Sequence, residues 1–188
     1  MLQNGILALR FFLTLTLLTG VIYPLAVTGF ARSLFAWRAG GSLVRVDGRI
    51  AGSDLLAQRF SAPRYFWPRP SSADYATIPS GASNLGWTSA QLKNAVDERR
   101  AGLEAAGGSQ TIPAELLFAS ASGLDPHISP AAAFYQLDRV AAARGFDADR
   151  LQQLLALIGQ KTEAPLWGYL GQPRINVLQL NLALDSLQ

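Results

Sequence analysis

The sequence predicts an α+β protein, with a single N-terminal transmembrane helix followed by one compact α+β domain. Three observations predict it. Residues 11–31 form an apolar run without a charge. Asp47-Gly48 then stands between two short β-prone runs, the strongest local signal for a two-residue hairpin. Beyond it, amphipathic patterns follow capping residues at Thr88, Ser129 and Asp147, as helices require.

The run "FFLTLTLLTGVIYPLAVTGFA" has 21 residues. At 1.5 Å per residue that makes a helix of about 31 Å, which matches the hydrocarbon thickness of a bilayer. Arg10 and Arg32 mark its ends, and Phe35 and Trp37 suit the interfacial belt. Gly29-Phe30-Ala31 is a passable signal-peptidase site, but the run is longer than the usual core of a signal peptide. The expected organisation is a short tail over residues 1–10, a span over 11–31 and a domain over 38–188. Thr16, Gly20, Tyr23 and Val27 recur at helical spacing, and small or hydroxyl side chains on one face let a second helix approach closely. Pro24 removes one backbone donor inside the span.

After the hairpin over 42–52, residues 53–60 read as a short helix or turn. Residues 61–87 are rich in Pro, Ser and Gly without a periodic apolar run. Tyr65, Phe66, Trp67, Tyr75 and Trp87 need cover, so this is expected to be an ordered irregular loop, and long ordered loops are often functional. Thr88-Ser89-Ala90-Gln91 is a capping-box pattern before a helix over about 89–106, with Leu92, Val96 and Leu103 on one face and Gly107-Gly108 at its end. Ile112-Pro113 introduces "AELLFASAS", a short helix or a buried strand. Ser129-Pro130 reads as N-cap and first helical residue of a helix over 130–144, with Ala133, Leu137, Val140 and Ala141 inward and Gly145 as its stop. Asp147 caps a further helix with Leu151, Leu154, Leu155 and Ile158 inward, a Phe146–Leu151 staple, and Gly159 at its end. "RINVLQLNLALDSL" begins as a strand at Ile175 and Val177 and is ambiguous thereafter.

Composition narrows the chemistry. Sixteen Lys and Arg against 13 Asp and Glu leave a net charge of +3. Arg45, Arg59, Arg64, Arg69 and Arg139 are scattered singly rather than aligned, which excludes a nucleic-acid interface. With no cysteine and one histidine, thiolate and Cys-based zinc chemistry are excluded, and no acidic cluster has ligand spacing. The histidine lies in "SGLDPHISP", where Asp125, His127 and Ser129 occupy alternate positions. A hydrolytic triad needs serine on one imidazole nitrogen and carboxylate on the other. Side chains this close in sequence do not readily adopt that geometry, and Ser129 is better placed as a cap. No P-loop or nucleophile elbow occurs. "YFWPRPSSADY" offers aromatic faces and Arg69 to a planar ligand, or merely packs.

The 122–145 segment "SGLDPHISPAAAFYQLDRVAAARG" resembles the hallmark of the C subunit of the Kdp potassium-transporting P-type ATPase. "GSDLLAQRF" from Gly52, "YFWPRPSS" from Tyr65, "SGASNLG" from Ser80 and "INVLQLNLALD" from Ile175 agree with the same family in order. Ala57, and Pro68 before Arg69-Pro70, stand where the family usually has glycine.

The resemblance implies a non-catalytic accessory subunit of a potassium pump. Its partners would be a pore-forming A subunit, an ATP-hydrolysing B subunit and a small F peptide. The Asp-Lys-Thr-Gly phosphorylation motif of P-type pumps is missing here. The family is described as a catalytic chaperone that raises the ATP affinity of the B subunit, so no cofactor is expected on this chain. ATP enters through the B subunit, and potassium is the transported ion. The interface candidates implied are Tyr65, Arg69, Ser83, Asn84, Gly123, Asp125, His127, Ser129, Asn176 and Asn181. The family is also described as single-pass in the bacterial cytoplasmic (inner) membrane, with its domain outside the cytoplasm. Arg32, Arg38, Arg45 and Arg49 after the span would by the positive-inside rule place the domain inside instead. Partner subunits can hold an orientation against so weak a bias, and the expectation follows the family. The rival readings are a membrane-anchored envelope hydrolase and an anchored nucleotide-binding module.

Overall fold

The computed structural model describes residues 2–107 and 111–187. It divides into two units, residues 1–43 and 44–188. The first is dominated by one continuous helical rod, Leu2–Leu34, whose most apolar 18-residue stretch has a mean hydropathy of 2.0 and which is long enough to cross a membrane. Helix α1 (Leu2–Leu17) passes through a π turn (Leu18–Ile22) into α2 (Tyr23–Leu34). The helix thus begins well before the apolar run, and residues 2–10 are part of it. The π turn lies immediately ahead of Pro24, where an extra residue accommodates the missing donor. The short α3 (Ala36–Ala39) follows.

Strands β1 (Leu43–Val46) and β2 (Arg49–Ser53) follow, paired as a hairpin. Asp47 and Gly48 both have positive φ, 49° and 77°, which is why Asp-Gly suits this turn. Residues 53–60 form a turn in which the Ser53 hydroxyl accepts from the Leu55 amide at 3.2 Å. Helix α4 (Ala90–Ala105) is capped by Ser89, whose side chain accepts from the Leu92 amide, so the cap lies one residue beyond Thr88. Gly107 ends it at φ +102°, and Gly108 lies outside the described residues. The ambiguous stretch after Pro113 resolves as helix α5 (Ala114–Leu117).

Strand β3 (His127–Ile128) leads into α6 (Pro130–Arg144), with Ser129 accepting from the Ala132 amide and Gly145 left-handed at φ 63°. Asp147 caps α7 (Ala148–Lys161) through the Arg150 amide. Gly159 is interior to this helix rather than its stop, since burial of Leu154, Leu157 and Ile158 outweighs the weak helix propensity of one glycine. After β4 (Thr162–Glu163) and β5 (Arg174–Asn176), helix α8 (Val177–Asp185) closes the chain. Val177 is therefore its first residue rather than a strand residue; Asn176 accepts from the Gln179 amide and switches the backbone from strand to helix. The order of the three-stranded antiparallel sheet is β3-β5-β4, with Ile128 opposite Ile175 and Thr162 opposite Ile175 on the other side.

The core lies between this sheet and helices α6, α7 and α8. Ile128, Val140, Leu154, Ile158, Ile175, Leu180 and Leu184 are buried in it. Phe66 from the irregular loop is fully buried among them. Trp87 departs from expectation: it is 93% exposed, without cover among the described residues.

Candidate functional site

The site is built on the backbone of the irregular loop, which the rest of the domain holds as though it were a strand. Asn181 is fully buried on α8. Its Oδ1 accepts from the Phe66 amide at 2.8 Å, and its Nδ2 donates to the Phe66 carbonyl at 3.0 Å. Gln136 on α6 repeats the pattern one residue on: Oε1 accepts from the Trp67 amide at 2.7 Å, and Nε2 donates to the Trp67 carbonyl at 3.1 Å. Two carboxamides thus supply the pairing that a neighbouring strand otherwise would, and leave no backbone group of Phe66 or Trp67 orphaned. Arg139, one turn further along α6, donates to the Pro63 carbonyl at 2.6 Å and the Tyr65 carbonyl at 3.0 Å. Its guanidinium stacks 3.7 Å from the Trp67 ring centre. Burial pulls the Arg139 pKa down to about 10, which still leaves it charged at neutral pH.

Tyr65 is fixed at its other end, its hydroxyl donating to Asp185 at 3.0 Å. Arg144 donates to the same carboxylate at 2.6 Å and to the Arg64 carbonyl at 2.9 Å. Arg69 pairs with Asp125 at 2.9 Å. Asp125 accepts from the His127 amide at 3.0 Å, and the His127 Nδ1 lies 3.5 Å from the carboxylate. The His127 side-chain contact, its amide and Arg69 outweigh partial burial, and together hold the Asp125 carboxyl down at about 2. Gly123 sits at φ +69°; a side chain there would meet Ser71 Oγ at 3.1 Å and the Gly81 carbonyl at 3.4 Å. Asn176 donates to the Asp54 carbonyl at 2.8 Å, which ties the turn after the hairpin to α8.

Asp125, His127 and Ser129 do not converge as a relay. Ser129 Oγ donates to Glu115 while it caps α6, and Glu115 also takes the Ser129 amide at 3.0 Å. Asp125 serves Arg69 and the turn. Tyr65, Arg69, Gly123, Asp125, His127, Asn176 and Asn181 belong to the framework around the loop, whereas Ser83 and Asn84 are exposed on its outer side, Asn84 at φ 52°. Ser83 lines an open cleft of about 860 Å³ with Ser72, Asp74, Ser80 and Arg99. Trp67, Tyr75, Phe60 and Leu103 line a smaller apolar one of about 320 Å³. No cluster of metal-ligating side chains occurs among the described residues.

Sequence reasoning did not find Gln136, Arg139, Glu115 or Asp185. Gln136 and Arg139 sit one turn apart on the inward face of α6 among Ala133 and Val140, and polar residues at inward positions were the available signal. It also did not single out the exposed tip at Leu166, Trp167, Tyr169 and Leu170. In the span, Tyr23 and Val27 stay one turn apart within α2. The π turn adds a residue ahead of them, which rephases Thr16 relative to Tyr23 by roughly 100°.

Residues 6–186 match the model of the family described as K+-transporting ATPase, c chain. A Potassium-transporting ATPase KdpC subunit of Variovorax paradoxus is 51% identical over 184 residues, covering 95% of this chain and 94% of the relative. The protein of the same name from Polaromonas naphthalenivorans is 52% identical, with 96% and 93% covered. That from Leptospira interrogans is 48% identical, with 96% and 92% covered.

Proposed function

The chain belongs to the KdpC family of K+-transporting ATPase subunits, and from that premise we propose that it is a non-catalytic accessory subunit of a potassium uptake pump. It joins a pore-forming subunit, an ATP-hydrolysing subunit and a small F peptide, as a single-pass protein of the bacterial cytoplasmic membrane with its domain outside. The observation that carries this reading is how the chemistry-bearing side chains are spent. Ser129 is a helix cap bonded to Glu115, and Asp125 is paired with Arg69 and bonded to the His127 amide. A nucleophile needs a free hydroxyl facing a base, and a base needs an accessible lone pair. Here the Ser129 hydroxyl is used twice, accepting from the Ala132 amide and donating to Glu115 so that α5 is tied to the start of α6, while Asp125 holds Arg69 of the loop; a surface fixed in this way suits docking.

Any effect on the ATP affinity of the pump then passes through the neighbouring subunits, since a domain outside the cytoplasm does not meet ATP. Orientation is tested with Gln153→Cys, a surface position of α7 in a chain with no cysteine. An impermeant maleimide labels it in intact spheroplasts; labelling only after lysis would place the domain inside and restore direct contact with ATP. Serine-directed phosphonate labelling of the purified chain tests the absence of catalysis, and labelling at Ser129 or Ser83 would refute it.

A further inference from the structure

The π turn in the span leaves a backbone acceptor with no partner of its own. In a regular α-helix the Thr19 carbonyl takes the amide of Tyr23. Here the Tyr23 amide bonds instead to the Leu18 carbonyl. The next donor in a π register is residue 24, and Pro24 has no N–H. A hydroxyl within a helix reaches a carbonyl three or four residues earlier, as the Thr19 hydroxyl does to Leu15 at 2.7 Å. The positions that would serve Thr19 this way are Ile22 and Tyr23, an apolar side chain and a phenol too long to fold back.

Depth turns this gap into a requirement. Thr19 is eight residues inside the charge-free run, about 12 Å from its start at 1.5 Å per residue, in hydrocarbon about 30 Å thick. No water reaches that level, and a polar backbone group without a partner there is costly; neighbouring helices are one way in which proline-broken spans are satisfied. Gly20 presents bare backbone beside the carbonyl, with nothing within 4 Å of the place a Cβ would occupy.

We propose that the Thr19 carbonyl accepts a hydrogen bond from a hydroxyl or carboxamide side chain on a transmembrane helix of another pump subunit. The bond is made where Gly20 allows the closest approach. It rests on the complex membership proposed above. Pro24 thereby couples the helix to assembly: the Thr19 carbonyl is bonded only when its partner is present.

The test uses the assembled pump in mild detergent. Tyr23 is replaced by the photocrosslinker benzoylphenylalanine, and the crosslinked segment of the neighbouring subunit is identified by mass spectrometry. Each donor side chain in that segment is then replaced by its nearest apolar isostere. Each is tested with the natural chain and with Pro24→Ala, whose new N–H lets the helix bond internally. One donor replacement is expected to lower recovery of the complex about 3-fold, and at most roughly 20-fold, with Pro24 present. With Pro24→Ala the same replacement is expected to have no further effect, because the acceptor is already satisfied.

Two additive losses would overturn the proposal, since proline would then act only by bending the helix. A crosslinked segment without any hydrogen-bond donor would overturn it as well, as would crosslinking to lipid alone while the natural chain still copurifies with the pump. Failure of the natural chain to copurify with any pump subunit would instead refute the functional reading on which the proposal rests.

Discussion

Replacing Asn181 with alanine removes both hydrogen bonds to the Phe66 backbone. Phe66 is fully buried, so its amide and carbonyl cannot turn to water. Each buried backbone group left unpaired costs about 1–3 kcal/mol, and the smaller side chain leaves a void at a fully buried position. The sum is about 3–5 kcal/mol, a large share of the roughly 5–15 kcal/mol that stabilises a domain. The midpoint of thermal unfolding is expected to fall by roughly 6–20 °C for a chain of this size. The assay is urea and thermal unfolding of the detergent-solubilised protein, followed by tryptophan fluorescence, with Trp67 adjoining the broken contact. Proteolysis of the 61–87 loop should accelerate in parallel, since its anchor is lost. Ser83→Ala, on the exposed side of the same loop, is the control and should shift stability by no more than about 0.5 kcal/mol. A loss below about 1 kcal/mol for Asn181→Ala would show that the loop is held by packing and that the carboxamide bracket is incidental.

Asp125→Asn keeps an acceptor for the His127 amide but loses the charge that Arg69 meets. Because the folded pKa is depressed from 3.8 to about 2, the carboxylate contributes stability above pH 4 that is lost as the pH falls toward 2. With 31% of the side chain exposed, screening leaves about 1–2 kcal/mol, and the gap between natural and substituted protein should close between pH 4 and 2 in unfolding titrations. His127→Ala should leave potassium-stimulated ATP hydrolysis of the assembled pump within a few-fold of normal, whereas loss of a general base costs about 10²–10⁴-fold in turnover. Gly123→Ala places a side chain at φ +69° against Ser71, and melting should report a loss of about 1–2 kcal/mol or more.

The elements legible in the sequence were those whose cause is local. Twenty-one uncharged residues are long and apolar enough to cross the hydrocarbon as a helix, the one single-segment conformation that bonds nearly all of its own backbone there. The Asp47-Gly48 hairpin and the caps Ser129 and Asp147 were equally readable, because turn geometry and cap bonds reach only two or three residues. Ser89, which bonds at the same short range, was misplaced by one residue in favour of Thr88, since both are good caps and only the backbone path chooses between them.

What the sequence left open depended on partners far along the chain. Val177 suits strand or helix, and the helix prevails because Asn176 both caps α8 and reaches the Asp54 carbonyl, 122 residues away. Asn181 and Gln136 are ordinary amides until folding brings Phe66 and Trp67, 115 and 69 residues distant, against them. The Ser129 cap was readable locally, but its bond to Glu115 of α5 and the pairing of Asp125 with Arg69 of the loop depend on the tertiary fold. A polar side chain acquires its role from the group that compensates its burial, and the identity of that group is a property of the tertiary structure alone.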